Sequence, residues 1–258
     1  MNKGELKAFL ELWYHKTNQS VFIDNDPISI PHRFSKRQDI EIAGFFAAIM
    51  AWGNRKTIIN KCNVLLHHMD ESPHDFILHA ADSDLKRFEG FVHRTLNDTD
   101  VLYILAFLKQ WYVNNESLET AFSTGLKPSD AHVGPGLIGF NKLAFSVLPV
   151  SERTRKHIAT PSRKSACKRL NMYLRWMVRK DESGVDFGLW NSIKPAQLIC
   201  PLDVHVQRVA SKLGLLERKQ PDWLAAELLT NSLKDFDAND PVKYDYALFG
   251  LGISGFAK

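Results

Sequence analysis

Two ionisable side chains, Lys168 and Asp203, stand at the starts of two predicted helices and could together perform amine chemistry. The neutral amine of a lysine is a nucleophile that attacks an electrophilic carbon and can go on to form a Schiff base. A carboxylate at a helix N-terminus interacts favourably with the helix dipole, and it can accept a proton and stabilise a developing positive charge. Each residue also has an ordinary interpretation, Lys168 as a solvated surface lysine and Asp203 as a helix N-cap.

The elements that must position these residues are two helices joined by an irregular connector. The segment from Lys168 to Arg179 predicts an amphipathic helix with about 100° between successive residues. One side of this helix carries the apolar residues Leu170, Tyr173, Leu174, Met177 and Val178. The other side carries Lys168, Met172, Arg175 and Arg179. The second helix is predicted from Val204 to Leu213, directly after Asp203, and it stops at Gly214.

Positive charge is concentrated in the stretch that leads into Lys168. Seven lysines and arginines and one acidic residue lie between Val150 and Leu170, whereas the whole chain has a net charge of only +4. A basic run is often no more than a solvated surface. Beside a candidate nucleophile, it indicates binding of phosphate groups. We therefore expect Arg163, Lys164 and Arg169 to contact phosphate.

The string from Pro201 to Val206, PLDVHV, resembles the aspartate-bearing segment of the helix-hairpin-helix DNA glycosylases. The pairing of Lys168 with Asp203 resembles the nucleophile and carboxylate of that superfamily, and the long spacing between them is similar to the archaeal-type 8-oxoguanine DNA glycosylases. Over nearly its whole length the chain also resembles a bacterial domain family of unknown function related to those enzymes. The resemblance implies that Lys168 attacks the sugar C1′, that Asp203 assists it, and that His205 approaches a DNA phosphate.

The segment YDYALFGLG near the C-terminus resembles the part of the 8-oxoguanine enzymes that holds the flipped base. This implies that Asp245 accepts the guanine N–H groups and that Phe249 stacks on the ring. Met172 and Arg175 would lie on the opposite side of the base, although methionine replaces an aromatic residue there. Trp52 would fill the gap left by the flipped base, in a place where the superfamily commonly has glutamine. Without the resemblance, Phe249 and Trp52 are ordinary core residues and Asp245 lies on the surface.

The chain as a whole predicts an all-α protein, because helical patterns recur along it and no segment shows sustained two-residue alternation. The resemblance implies a two-lobed glycosylase-like fold with the active site in the cleft between the lobes. Residues 39–180 would form a helical barrel lobe, with a hairpin region near 150–168. Residues 1–38 and 201–258 would form the second lobe, and 181–200 would connect the two. The glycine-rich hairpin of the superfamily is absent, and Thr160 to Lys164 take its place, which implies a longer hairpin.

The amino-acid composition narrows the class of protein, its cofactors and its expected location. Hydrophobic residues make up 45% of the chain and charged residues 24%, which is typical of a soluble globular protein. The longest apolar run, Ile42 to Trp52, is too short to span a bilayer, and the first residues predict an amphipathic helix instead of a signal peptide. The separated cysteines Cys62, Cys167 and Cys200 argue against disulfides, zinc and a four-cysteine iron–sulfur cluster. We expect a cytoplasmic, nucleoid-associated monomer that uses no metal or cofactor and binds no membrane.

The predicted function is base-excision repair. The partner would be double-stranded DNA containing a damaged base, and the reaction removal of an oxidised purine, 8-oxoguanine, with AP-lyase activity. Two other classes stay open. A non-catalytic helix-hairpin-helix DNA-binding protein needs the basic run but not the lysine–aspartate pair. A helical metal phosphohydrolase would use Asp203, His205 and the region of His67.

Overall fold

The structure is a computed structural model that describes residues 1–147 and 149–256. Its α-helices are α1 (Lys3–Thr17), α2 (Arg37–Met50), α3 (Arg55–His68), α4 (Pro73–His79), α5 (Asp82–Leu85), α6 (Asp98–Tyr112), α7 (Glu119–Ser123), α8 (Gly134–Ala144), α9 (Glu152–Arg155), α10 (Lys168–Val178), α11 (Val204–Lys212), α12 (Trp223–Lys234) and α13 (Tyr244–Ser254). Strands β1 (Val92–His93) and β2 (Leu96–Asn97) form an antiparallel hairpin, and short 3-10 helices lie in the connections. The all-α prediction is confirmed. No helix within the described ranges has both the length and the apolar character of a membrane span.

Two compact units divide the chain. Among the described residues, the first unit comprises Met1–Phe22, Lys127–Pro135 and everything from Thr160 onward. The second comprises Ile23–Leu126 and Gly136–Ala159. These boundaries differ from the lobes expected from the sequence, because residues 160–180 belong with the C-terminal helices and residues 23–38 belong with the second unit. The expected hairpin region, 150–168, is divided between the two units at Thr160.

The connector after α10 is attached to the end of that helix. The backbone N–H of Phe187 donates to the carbonyl oxygen of Trp176 at 2.8 Å, and that of Trp190 donates to the carbonyl oxygen of Met177 at 2.9 Å. The connector therefore pairs carbonyl groups that a helix C-terminus leaves without intrahelical partners. Helices α10 and α11, which were expected to face each other across a cleft between lobes, both belong to the first unit.

Helix α13 lies at the centre of the first unit, packed against α1 and α11. Residues from Tyr244 to Leu248 are all buried, so the helix has no polar face, as is typical of a helix enclosed by its neighbours. Its glycines allow close approach. A Cβ at Gly250 would overlap the side chain of Thr17 in α1, and one at Gly252 would lie 3.0 Å from the Cβ of His205 in α11.

Helix α2 has the corresponding place in the second unit, where every residue from Ile40 to Met50 is buried. The run includes one carboxylate, Glu41, which accepts hydrogen bonds from the Tyr112 hydroxyl at 2.8 Å and from the Leu118 backbone N–H at 3.0 Å. A buried carboxylate is tolerated only when such donors replace its water. Glu41 therefore joins α2 to α6 and to the start of α7.

Gly250→Ala should destabilise the protein, because the added methyl group would overlap Thr17 where α13 and α1 are closest. Overpacking of this kind costs about 1–3 kcal/mol of the free energy of unfolding, which urea denaturation followed by circular dichroism measures. Gly4→Ala is the matched control, because a Cβ at this exposed helical glycine meets only Asn2, at 3.4 Å. Unchanged or higher stability of Gly250→Ala would contradict close packing of the two helices.

Candidate functional site

Lys168 and Asp203 form an ion pair in which Nζ and Oδ2 are 3.1 Å apart. Lys168 is the first residue of α10, and Asp203 is the N-cap of α11. The other carboxylate oxygen, Oδ1, accepts a hydrogen bond from the backbone N–H of Val206 at 2.8 Å. One oxygen therefore caps the helix while the other contacts the lysine. The Lys168 side chain is 35% exposed and that of Asp203 is 15% exposed, so the pair is accessible from solvent.

The backbone that leads into Lys168 is strained. Lys164 and Cys167 both have left-handed conformations, with φ of 58° and 49°. Such conformations favour glycine and cost other residues about 1 kcal/mol or more, so the surrounding structure must impose them. The turn is fixed from both sides, because the Trp223 N–H donates to the Lys164 carbonyl oxygen at 3.1 Å and the Cys167 thiol contacts the Ser165 carbonyl oxygen at 3.3 Å.

Two buried arginines lie near the end of α10, Arg175 within the helix and Arg179 as its C-cap residue. Arg175 is 4% exposed. Its Nη1 contacts Asp245, its Nε lies 3.3 Å from Oδ1 of Asp186, and its guanidinium lies 4.1 Å from the centre of the Tyr246 ring. The Tyr246 hydroxyl in turn donates to Asp186 at 2.9 Å. Arg175 therefore joins α10 to α13 and to the connector.

Arg179, one turn further along, is 1% exposed and is held in the same way. Its Nε lies 2.8 Å from Oδ2 of Asp240, its Nη1 lies 3.1 Å from Oδ2 of Asp186, and its Nη2 donates to the Tyr14 hydroxyl at 2.7 Å. Asp186 thus contacts both arginines. We call this group the buried arginine cluster, and it consists of Arg175, Arg179, Asp186, Asp240 and Asp245.

The electrostatics of the cluster extend to the ion pair. Burial raises the pKa of Asp245 to about 6, the positive charge of Arg175 opposes the rise, and the negative charge of Asp203 adds to it. The Cys200 thiol, whose Sγ lies 4.0 Å from Oδ1 of Asp245, has a pKa raised by burial and further by the Asp245 carboxylate. Lys168 acts on Asp245 in the opposite direction, lowering its pKa. The ionisation of Asp245 is therefore coupled to the charges of the pair.

The residues expected to hold a base differ in how deeply they are buried. Asp245 and Arg175 are buried and paired with each other. Met172 and Phe249 are half-buried, and the Phe249 ring lies 5.9 Å from the ring of Phe22 in an edge-on arrangement. Without the family resemblance, Asp245 was expected to lie on the surface. That interpretation is wrong, because this residue is only 5% exposed.

Most of the residues expected to contact DNA phosphate are exposed to solvent. Arg163, Lys164 and His205 are exposed, and Arg169 is half-buried, with a pKa lowered by burial. Trp52 belongs to the second unit and follows the end of α2. It is 47% exposed, so the interpretation of Trp52 as a core residue is wrong.

Two carboxylates of the cluster, Asp186 and Asp240, received no functional role from the sequence. Asp240 lies 61 residues after Arg179 in the chain, and Asp186 lies in the irregular connector, where no helical spacing relates it to either arginine. The available signal was the spacing of Arg175 and Arg179, four residues apart on the side of α10 that also carries Lys168. Two cations on a face that becomes buried require acidic partners.

The fold and the site together define an all-α protein with an accessible lysine–aspartate ion pair at the start of α10 and a buried arginine cluster at its end. The chain belongs to the family described as protein of unknown function (DUF2400), whose family model matches residues 26–254. The ion pair and the whole cluster lie inside the matched segment. No curated protein and no solved structure matches the chain.

The free energy of unfolding should depend on pH through Asp245. Its pKa of about 6 in the folded protein lies above the ordinary 3.8, so the folded protein binds more protons between these values, and stability is lost as pH rises through 6. Two pH units correspond to a loss of up to about 3 kcal/mol. Asp245→Asn cannot titrate, so the stability of the wild type relative to this variant should fall between about pH 4 and pH 7, measured by urea denaturation. A rise over that interval would mean that Arg175 outweighs burial.

Proposed function

We propose that this protein is a DNA glycosylase with AP-lyase activity, of the helix-hairpin-helix superfamily. The observation that carries the proposal is the ion pair between Lys168 Nζ and Asp203 Oδ2, at 3.1 Å. An amine beside a carboxylate at a helix N-terminus has the two groups that covalent catalysis at a sugar carbon requires, a nucleophile and a base that later stabilises positive charge. The strained turn before Lys168 supports the same proposal, because conformations of this kind cluster at active sites.

The proposed reaction begins when the Lys168 ammonium gives a proton to Asp203. The neutral amine attacks C1′, the bond from C1′ to the base breaks, and the base leaves with the bonding electrons and takes the proton from Asp203. Opening of the sugar ring then moves a proton from the Lys168 nitrogen to O4′ and gives an iminium on Lys168, whose positive charge the Asp203 carboxylate stabilises. Loss of a proton from C2′ allows the C3′–O bond to break, with the phosphate as leaving group, and hydrolysis of the imine frees Lys168.

The proposed substrate is a damaged base in double-stranded DNA. The base has to leave its stack before C1′ can be attacked, which costs a few kcal/mol and favours damaged bases. We propose 8-oxoguanine as the lesion, with Phe249 and Met172 on its two faces. Arg175 contacts Oδ2 of Asp245, whereas the described hydrogen-bonding contact of Oδ1 is with the Cys200 thiol, at 4.0 Å. Oδ1 is therefore the oxygen that would accept a guanine N–H.

The two alternatives have less support. The basic run alone fits a DNA-binding module, but such a module has no use for the Lys168–Asp203 pair. For a metal phosphohydrolase, no group of three or more His, Cys, Asp or Glu side chains is arranged to hold a metal ion in the part of the chain that the structure describes. The pair therefore favours the glycosylase.

Borohydride trapping tests the proposal. The wild type should form a covalent adduct with a duplex that contains 8-oxoguanine, and Lys168→Gln should form none, because reduction traps only an imine on the nucleophile. Lys7→Gln, which changes an exposed lysine of α1 that has no part in the proposed site, is the matched control and should trap like the wild type. Trapping that persists in Lys168→Gln would contradict the assignment of the nucleophile.

Asp203→Asn separates the charge of the carboxylate from its role as a cap. Asparagine is as good an N-cap as aspartate, so α11 should remain capped and DNA affinity should change little. The rate of trapping should fall by on the order of a hundredfold or more. Asp222→Asn makes the same change at the N-cap of α12, where Asp222 pairs with Arg218, and should leave the rate unchanged. Equal losses in both variants would indicate a structural effect.

Phe249→Ala should slow single-turnover cleavage of an 8-oxoguanine duplex by about 1–3 kcal/mol in activation free energy, through lost stacking. An abasic duplex has no base to hold, so its cleavage should change much less. Met172→Phe should preserve or strengthen lesion binding, because it restores an aromatic face. Equal losses on both duplexes in Phe249→Ala would leave a lyase without the proposed base specificity.

A further inference from the structure

An exposed aromatic ring and an arginine lie together in the second unit. Trp52 is 47% exposed, and the guanidinium of Arg94 lies over its ring, 4.9 Å from the centre. Arg94 stands at the turn between β1 and β2, in a left-handed conformation with φ of 55°. A Cβ at Gly53, whose φ is 112°, would lie 2.9 Å from Arg94 Nη1. Gly53 is therefore what allows the guanidinium to reach Trp52.

The buried ring of His93 holds this turn against the end of α2. Its Nε2 lies 2.9 Å from the carbonyl oxygen of Met50, and because a carbonyl only accepts, Nε2 carries the hydrogen. Burial lowers the pKa of His93, and the charges of Arg94 and Lys61 lower it further against the opposing hydrogen bond to Met50. The contact anchors the turn that carries Arg94 beside Trp52.

A surface cavity of about 540 Å³ lies at the start of α3, and Asn54, two residues after Trp52, is one of its lining residues. The lining residues are Asn25, Asn54, Arg55, Lys56, Ile59 and Asn60. They supply two cations and three amides but no carboxylate. Arg55 has a distant partner in Asp26, at 4.0 Å, whereas Lys56 and Arg94 form no ion pair with any residue in the described part of the chain. The positive charge of this surface is therefore only partly neutralised.

We propose that Trp52, Arg94 and the cavity form a binding site for an unpaired stretch of DNA. Trp52 stacks a nucleobase, as exposed aromatic rings do in proteins that bind single strands, and Arg94 holds the ring in place. Arg55 and Lys56 contact phosphate. An acidic peptide would satisfy the cations but leave Trp52 without a stacking partner, so a nucleotide strand fits the surface better. The proposal rests on the proposed function only in its choice of DNA as the polymer.

Binding of a labelled oligothymidylate of about 12 nucleotides to the full-length chain, followed by fluorescence anisotropy, tests the site. Trp52→Ala should weaken binding by about tenfold or more, and Trp52→Phe should restore most of the affinity, because a phenyl ring also stacks. Lys56→Ala should reduce the slope of log Kd against log salt by about 0.7, the value for one phosphate contact on a single strand. Lys86→Ala removes an exposed lysine elsewhere in the second unit and should leave the slope unchanged.

Three results would overturn the proposal: no binding of the oligothymidylate, wild-type affinity in Trp52→Ala, or equal competition by a polyglutamate peptide of the same charge. The test is independent of the Schiff-base chemistry. If borohydride trapping on an abasic duplex fails while oligothymidylate binding depends on Trp52, the proposed function falls and this site stands. If trapping proceeds while oligothymidylate binding is insensitive to Trp52 and Lys56, only this site falls.

Discussion

The burial of Arg175 in α10 and of its C-cap residue Arg179 is the constraint on which the rest of the first unit depends. A buried cation without a partner costs several kcal/mol, so the surrounding elements must supply carboxylates and keep them in place. Asp186 comes from the connector, and Asp240 and Asp245 come from the start of the last helical segment. Burial alone would lower the pKa of Arg179, but the carboxylates raise it well above its usual value. The cluster thereby joins segments that are far apart in the chain.

The same constraint positions the accessible ion pair. Lys168 begins the helix whose later turns are fixed by Arg175 and Arg179, so its backbone has little freedom to move. Asp203 is fixed separately by capping α11, and α11 packs against α13, which carries Asp245. The reactive groups are thus held by rigid elements whose anchoring contacts lie away from the amine. This arrangement leaves the lysine side chain partly exposed while both arginines of the network are buried.

Chemistry-bearing side chains in the two units share a second feature, a turn that holds a residue in a left-handed conformation. Cys167 and Lys164 precede the nucleophile candidate, and Arg94 stacks on Trp52 from a similar conformation. In each case a hydrogen bond attaches the turn to a neighbouring element. The N–H of Trp223 donates to the Lys164 carbonyl oxygen in the first turn, and His93, beside the second turn, donates from its ring to the Met50 carbonyl oxygen at the end of α2. Strain of this kind persists only where the surrounding structure over-determines it.

The sequence by itself determined the all-α class, because helical periodicity is a local property. It also determined the starts of α10 and α11, and with them the choice of Lys168 and Asp203. Only the tertiary structure decided that Arg175 and Arg179 are buried, because an amphipathic pattern shows two faces without showing what covers the polar one. The unit boundaries were likewise a tertiary result, since they depend on which distant segments pack together. The carboxylate partners of the arginines lie up to 70 residues away, and a single sequence has no local signal for contacts at that distance.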